Sequence, residues 1–144
     1  MGNDHIIELL VEWGANVNAQ ESWGQTPLAI TTLQDRLRCI KTLLCLGADR
    51  EVKDFHHRQT PLHIAAASRD EECVLMLLDS GCDVHAVNGE GLSVLGVALM
   101  NKFYRVVPLL LEYGAQLNEA DRQDLSTPLI HYLDKVAGKS NYFS

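Results

Sequence analysis

A chain of 144 residues with 47% apolar and 22% charged side chains can bury one core and is too apolar to be disordered over most of its length. Its formal net charge of -7 argues against phosphate backbones and anionic membranes as partners. No apolar run is long enough to span a bilayer, Met1 to Ile7 does not read as a secretory leader, and Cys39, Cys45, Cys73 and Cys82 lack the dense spacing of a disulfide scaffold, so a reducing intracellular location, cytoplasmic or nuclear, is expected.

In chain order, Asp4 to Trp13 reads as a helix that is apolar nearly all round, ended by Gly14. Thr26-Pro27-Leu28 is a helix start: the hydroxyl caps free N–H groups, and proline fits the first turn, where its missing N–H costs nothing. Leu43-Leu44 belongs to a second helix, ended by Gly47. Thr60-Pro61-Leu62 starts a helix over Pro61 to Ala67, which Ser68-Arg69-Asp70 breaks. A helix from about Glu72 to Asp79 follows, with Cys73, Val74, Leu77 and Leu78 on its apolar side, and Gly81 ends it. Ser93-Val94-Leu95 starts the next pair. Pro108 falls inside its second helix and predicts a kink or a shortening there. Thr127-Pro128-Leu129 starts a helix reaching about Val136, and no second helix is recognisable in Ala137 to Ser144.

These elements recur in step. Gly14, Gly47, Gly81 and Gly114 are spaced by 33, 34 and 33 residues; Thr26, Thr60, Ser93 and Thr127 by 34, 33 and 34. Two series with one shared period indicate an array of similar two-helix units. The run Gln59-Thr60-Pro61-Leu62-His63-Ile64-Ala65-Ala66 resembles the ankyrin signature Thr-Pro-Leu-His-x-Ala-Ala, and Leu9 to Ala19 resembles the end of the ankyrin unit. The resemblance covers the chain up to about Val136. It implies an all-α repeat solenoid of helix-turn-helix units joined by β-hairpin loops. The expected organisation is a partial unit over residues 1–20, three units over 21–53, 54–87 and 88–120, and a partial unit with a tail over 121–144.

The pattern departs from the family in places. Gly24 and Gly91 hold the hairpin glycine, whereas His56-His57-Arg58 and Gln123-Asp124-Leu125 add a residue and predict longer tips. The family histidine survives only as His63; Ala29, Gly96 and Ile130 replace it elsewhere. The truncated units predict exposed apolar surface at both ends, consistent with a fragment of a longer protein or with a homodimer formed through uncapped ends. Tyr142 and Phe143 are candidates for a makeshift cap.

No catalytic residue is proposed from the sequence. There is no Gly-rich phosphate loop and no nucleophile elbow, and Asp70-Glu71-Glu72 reads as favourable charge at a helix N-terminus. His63 reads as a structural histidine bonded to Thr60 and backbone. Cys39 and Cys73 fill the same core slot of successive units, too far apart for a disulfide. No metal and no cofactor is expected.

The ankyrin resemblance implies that function lies on the hairpin tips and on the concave face of the first helices, where another protein or a peptide would bind. By repeat position the partner-binding candidates are Trp23, Gln25, Phe55, His56, His57, Gln59, Glu90 and Leu92 on the tips, with Arg122, Gln123 and Asp124 further along. Leu33, Ser68, Met100 and Asn101 are the candidates at the first-helix ends. Trp23 and Phe55 are large aromatics that the framework does not require, which marks them as interface anchors. The acidic charge points to a partner with some basic character. The resemblance also implies possible hydroxylation of Asn18 and Asn118 by an asparaginyl hydroxylase, set against a plain turn-stabilising role. The expected function is a non-catalytic adaptor or substrate-recruiting module. A transcription-factor inhibitor, or an internal spacer or self-associating fragment of a larger protein, are the alternatives.

Overall fold

A computed structural model describes residues 14–123, 125, 126, 129–133 and 135. The helix expected over Asp4 to Trp13 lies outside them. Three helix pairs follow one another: α1 (Pro27–Leu33) with α2 (Leu37–Cys45), α3 (Pro61–Ala67) with α4 (Glu71–Asp79), and α5 (Val94–Met100) with a 3-10 turn (Tyr104–Val106) that runs into α6 (Val107–Glu112). A short helix α7 (Glu119–Gln123) follows, and residues 129–133 are helical again.

Each first helix starts as its sequence dictates. Thr26, Thr60 and Ser93 are extended and accept hydrogen bonds from the N–H groups of Ala29, His63 and Gly96, with Pro27 and Pro61 in the first turn. Asp70 caps α4 by accepting from Cys73 N at 3.1 Å, with Glu71 and Glu72 in the first turn, where the backbone dipole favours negative charge. The second helices of the first two pairs end before Gly47 and Gly81, which adopt φ of +86° and +96°. Pro108 sits in the first turn of α6, which has 6 residues against 9 in α2 and α4; the turn before it tightens to a 3-10 form.

The first helices α1, α3 and α5 pack side by side in one layer, and α2, α4 and the 3-10 turn leading into α6 form a second. Leu28, Ile40, Leu43, Leu62, Val74, Leu77, Leu95, Val106 and Leu110 are fully buried between them. Each pair thus covers an apolar face of the next, the arrangement of an all-α repeat solenoid.

Two expectations about the loops need correction. Among the described residues no strand is present; only an isolated antiparallel bridge joins Val87 and Ser93. The loops are hairpin-shaped turns rather than paired strands. One backbone bond closes each: Glu21 N to Gln25 O, Asp54 N to Gln59 O and Asn88 N to Leu92 O. The side chains of Glu21, Asp54 and Asn88 take up the inner N–H groups that a strand ladder would use. The second turn spans one residue more than the others, and Arg58 absorbs it at φ +54°. The last tip, expected around Arg122, Gln123 and Asp124, is at Arg122 and Gln123 instead part of the helix α7, and Asp124 lies outside the described residues; Asn118 and Asp121 cap one another, since Asp121 N donates to Asn118 Oδ1 at 2.8 Å and Asn118 N to Asp121 Oδ2 at 3.0 Å.

Candidate partner-binding site

The tips are tied together by their backbones. Phe55 N donates to Trp23 O at 3.0 Å, and Gly89 N donates to His57 O at 2.7 Å. These bonds align successive tips, so side chains far apart in sequence form one row. The Trp23 ring stacks on His56 with centroids 5.0 Å apart, and His56 stacks on His57 at 5.7 Å. Phe55 lies beside them over Gly24: a Cβ at Gly24 would come within 2.5 Å of the Phe55 ring. Trp23 and Phe55 are each 57% exposed despite these contacts, so the row is an organised aromatic surface open to solvent.

Gln25 and Gln59 are half-buried, and their backbones close the turns, so they flank the row as framework. Glu90 is exposed at the third tip, its N–H held by Asn88 Oδ1 at 2.9 Å. Leu92 is a correction: it was expected as an apolar contact at the surface, but it is only 5% exposed. The tight turn before it points the side chain into the core, and its carbonyl is held by Asn88 N and by His63 Nε2 at 3.0 Å.

At the ends of the first helices Leu33, Ser68, Met100 and Asn101 are exposed; Leu33 and Met100 share the last helical position of their pairs, and Ser68 and Asn101 the position after it. Leu33 and Ser68 border a recess of about 550 Å³ whose wall also holds Asp35, Arg69, Asp70, Glu71 and Glu72. Asp35 and Arg69 were not foreseen. Both take left-handed backbone, with φ of +55° and +59°, in the turn between the two helices of a pair, which brings them to the recess. A hydrogen bond with Asp70 and its negative charge hold the Asp35 carboxyl above the ordinary carboxylate range. The recess therefore carries an excess of carboxylate over its one arginine.

His63 does not face solvent. It is fully buried, and since a carbonyl only accepts, Nε2–H donates to Leu92 O while Nδ1 accepts from the Thr60 hydroxyl at 2.8 Å. Burial pulls its pKa down, so it is a neutral cross-link between neighbouring units. Burial also pushes the Cys73 and Cys82 thiols up to about 12, which keeps them protonated and unreactive at neutral pH. Asn18 Oδ1 accepts from Asp49 N at 2.7 Å, and Asn118 Nδ2 donates to Gly91 O at 2.9 Å, so each links its loop to the neighbouring one. No group of three or more potential metal ligands occurs among the described residues, and no helix among them is long and apolar enough to cross a membrane.

An exposed row of tip side chains on a stack of helix pairs defines a repeat scaffold for protein interaction. The chain belongs to the ankyrin-repeat family: the family model described as ankyrin repeats in three copies matches residues 1–88 and 53–121. It is 31% identical over 133 residues to the human (Homo sapiens) B-cell lymphoma 3 protein, covering 90% of this chain and 29% of that protein. It is 35% identical over 136 residues to the Mus musculus B-cell lymphoma 3 protein homolog, covering 90% and 30%. With ankyrin repeat and SOCS box protein 5 of Oryctolagus cuniculus it shares 33% identity over 114 residues, covering 79% and 33%. The chain spans about a third of the length of these curated relatives.

Proposed function

We propose that the chain is a non-catalytic intracellular adaptor or substrate-recruiting module. It docks a protein partner on the row formed by Trp23, Phe55, His56 and His57 and on the recess beside Leu33 and Ser68. The observation that carries this reading is the pair of aromatic side chains, each 57% exposed, held in place by tip-to-tip backbone bonds. An aromatic left in water forgoes burial, so a fixed, stacked row is well prepared to anchor a partner at small entropic cost. The carboxylates around Asp35 and Asp70 favour a partner that brings a basic segment to the recess. The likeness to a protein named for ankyrin repeats together with a SOCS box supports reading such an array as the docking part of an adaptor.

The test is an affinity capture from cell lysate with the chain and with a Trp23→Ala, Phe55→Ala double variant, followed by measured binding of the captured protein. A partner held by the parent and lost by the double variant supports the tip row. A partner held equally by both removes the aromatic-anchor reading and moves the site to the helix faces.

A further inference from the structure

Left-handed backbone strains any side chain, and six of the ten described residues that adopt it are glycines. Of the other four, Arg58 absorbs the extra residue of the second tip. The remaining three fall at one repeat position. Asp35, Arg69 and Lys102, spaced by 34 and 33 residues, hold φ of +55°, +59° and +58° in the turns between the two helices of each pair. Glycine would relieve the strain at all three, and the fold draws nothing from their side chains. Each is exposed, and those of Arg69 and Lys102 make no hydrogen bond or ion pair among the described residues. Asp35 meets the carboxyl groups of Asp70 and Glu72, which are like charges.

The three turns lie along one edge because the pairs pack side by side, so successive turns are about 10 Å apart. Arg105 Nε at the third turn comes within 3.5 Å of Glu71 Oε2 at the start of α4, which holds the second and third turns together. The edge therefore carries negative, positive and positive side chains in steps of one unit. Leu33 and Met100, 50% and 44% exposed, flank its two ends as apolar footing. An extended segment with three residues per turn advances about 9 Å per turn, so every third side chain would meet the next turn of the edge.

We infer that this edge docks an extended segment of a partner protein that carries a basic side chain at i and acidic side chains at i+3 and i+6. The basic group meets Asp35, and the two acidic groups meet Arg69 and Lys102. Charge complementarity in this order selects the segment, and any other order sets like charges against each other. The strained backbone is kept because the side chains it presents belong to the interface rather than to the fold. The inference rests on the reading of these units as a protein-docking module, on a surface apart from the tips.

The probe is a fluorescein-labelled peptide, Lys-Pro-Pro-Glu-Pro-Pro-Glu, whose prolines hold the extended form before binding. Fluorescence anisotropy in low-salt buffer is expected to show saturable binding to the full chain. The peptide Glu-Pro-Pro-Lys-Pro-Pro-Glu has the same composition but sets its cation opposite Arg69, and is expected to bind at least about fivefold more weakly. Arg69→Gly and Lys102→Gly are each expected to weaken the first peptide by about threefold. The same two variants are expected to raise the urea midpoint, since glycine relieves the left-handed backbone. Trp23→Ala is expected to leave peptide binding unchanged, so failure of this inference and failure of the tip row are read separately. No binding by the parent chain, equal binding of the two peptides, or a lower urea midpoint in the glycine variants overturns the inference.

Discussion

A Cβ added to Gly96 would lie 1.9 Å from Asp121 Oδ1. The carboxylate fills the space where the family pattern puts a histidine side chain, the place that His63 holds one unit earlier. Asp121 is fully buried; its Oδ1 accepts from Ser93 N at 2.9 Å and its Oδ2 from Ser93 Oγ at 2.5 Å and Asn118 N at 3.0 Å. Where His63 reaches forward to the Leu92 carbonyl, Asp121 reaches back to the Ser93 cap. Both tie successive units through a buried polar group that is fully bonded, the condition under which such a group stabilises rather than costs.

Gly96→Ala is therefore expected to destabilise the chain by about 1–3 kcal/mol through overpacking. Urea unfolding of the single variant, of Asp121→Ala and of the double variant measures the coupling. The costs are expected to be strongly non-additive, because either change breaks the same contact. Additive costs would mean that the two residues do not depend on one another.

His63 predicts an acid-sensitive stability. Its folded pKa lies below the ordinary value of 6.5, chiefly because burial disfavours the charged ring, with the Leu92 carbonyl opposing. Below about pH 6.5 the unfolded chain binds the proton more readily than the folded one. The contribution is thus complete above that pH and is lost as pH falls through the folded value. The urea midpoint of the parent is expected to drop between about pH 7 and pH 5, and that drop to shrink in His63→Asn. An identical slope in both proteins would assign it to other groups.

Thiol reactivity is expected to separate the cysteines. Cys45 is exposed, whereas Cys39, Cys73 and Cys82 are buried. Titration with a thiol reagent under native conditions should label Cys45 quickly and the other three only as the array opens. Rapid labelling of Cys73 or Cys82 would contradict thiols held near about 12.

Gly24 links stability to the proposed tip surface. At φ +82° any side chain is strained, and a Cβ would also meet Phe55 N at 2.6 Å. Gly24→Ala is expected to cost about 1–3 kcal/mol and, in the fraction that stays folded, to displace Phe55 and weaken partner binding as Trp23→Ala does. Calorimetry and the binding assay used together separate the two effects.

Asn118 is committed to structure on both sides of its amide, to Asp121 N and Gly91 O. Asn118→Ala is expected to cost about 0.5–2 kcal/mol as a lost cap. Incubation with an asparaginyl hydroxylase is expected to leave the mass of the Asn118 peptide unchanged. Oxygen incorporation there would show that the loop opens readily.

The repeat was legible in the sequence because its physics is local. Capping Thr26, Thr60 and Ser93, prolines at helix starts and glycines at φ near +90° each act within a few residues, so their spacing alone set out the pairs of helices. The exposure of Trp23 and Phe55 was legible as well, since the framework has no use for large aromatics at those tip positions. What only the tertiary structure decided concerns atoms brought together across one full period. The stacking of Trp23 on His56 depends on a backbone bond between two tips, and the burial of Leu92 on a carbonyl shared with His63. Asp121, at the repeat position where Glu21, Asp54 and Asn88 close their own turns, turns inward instead because Gly96 leaves room and Ser93 offers donors. Side-chain direction at equal repeat positions is set by the space the neighbouring unit leaves, and a single unit's sequence does not hold that information.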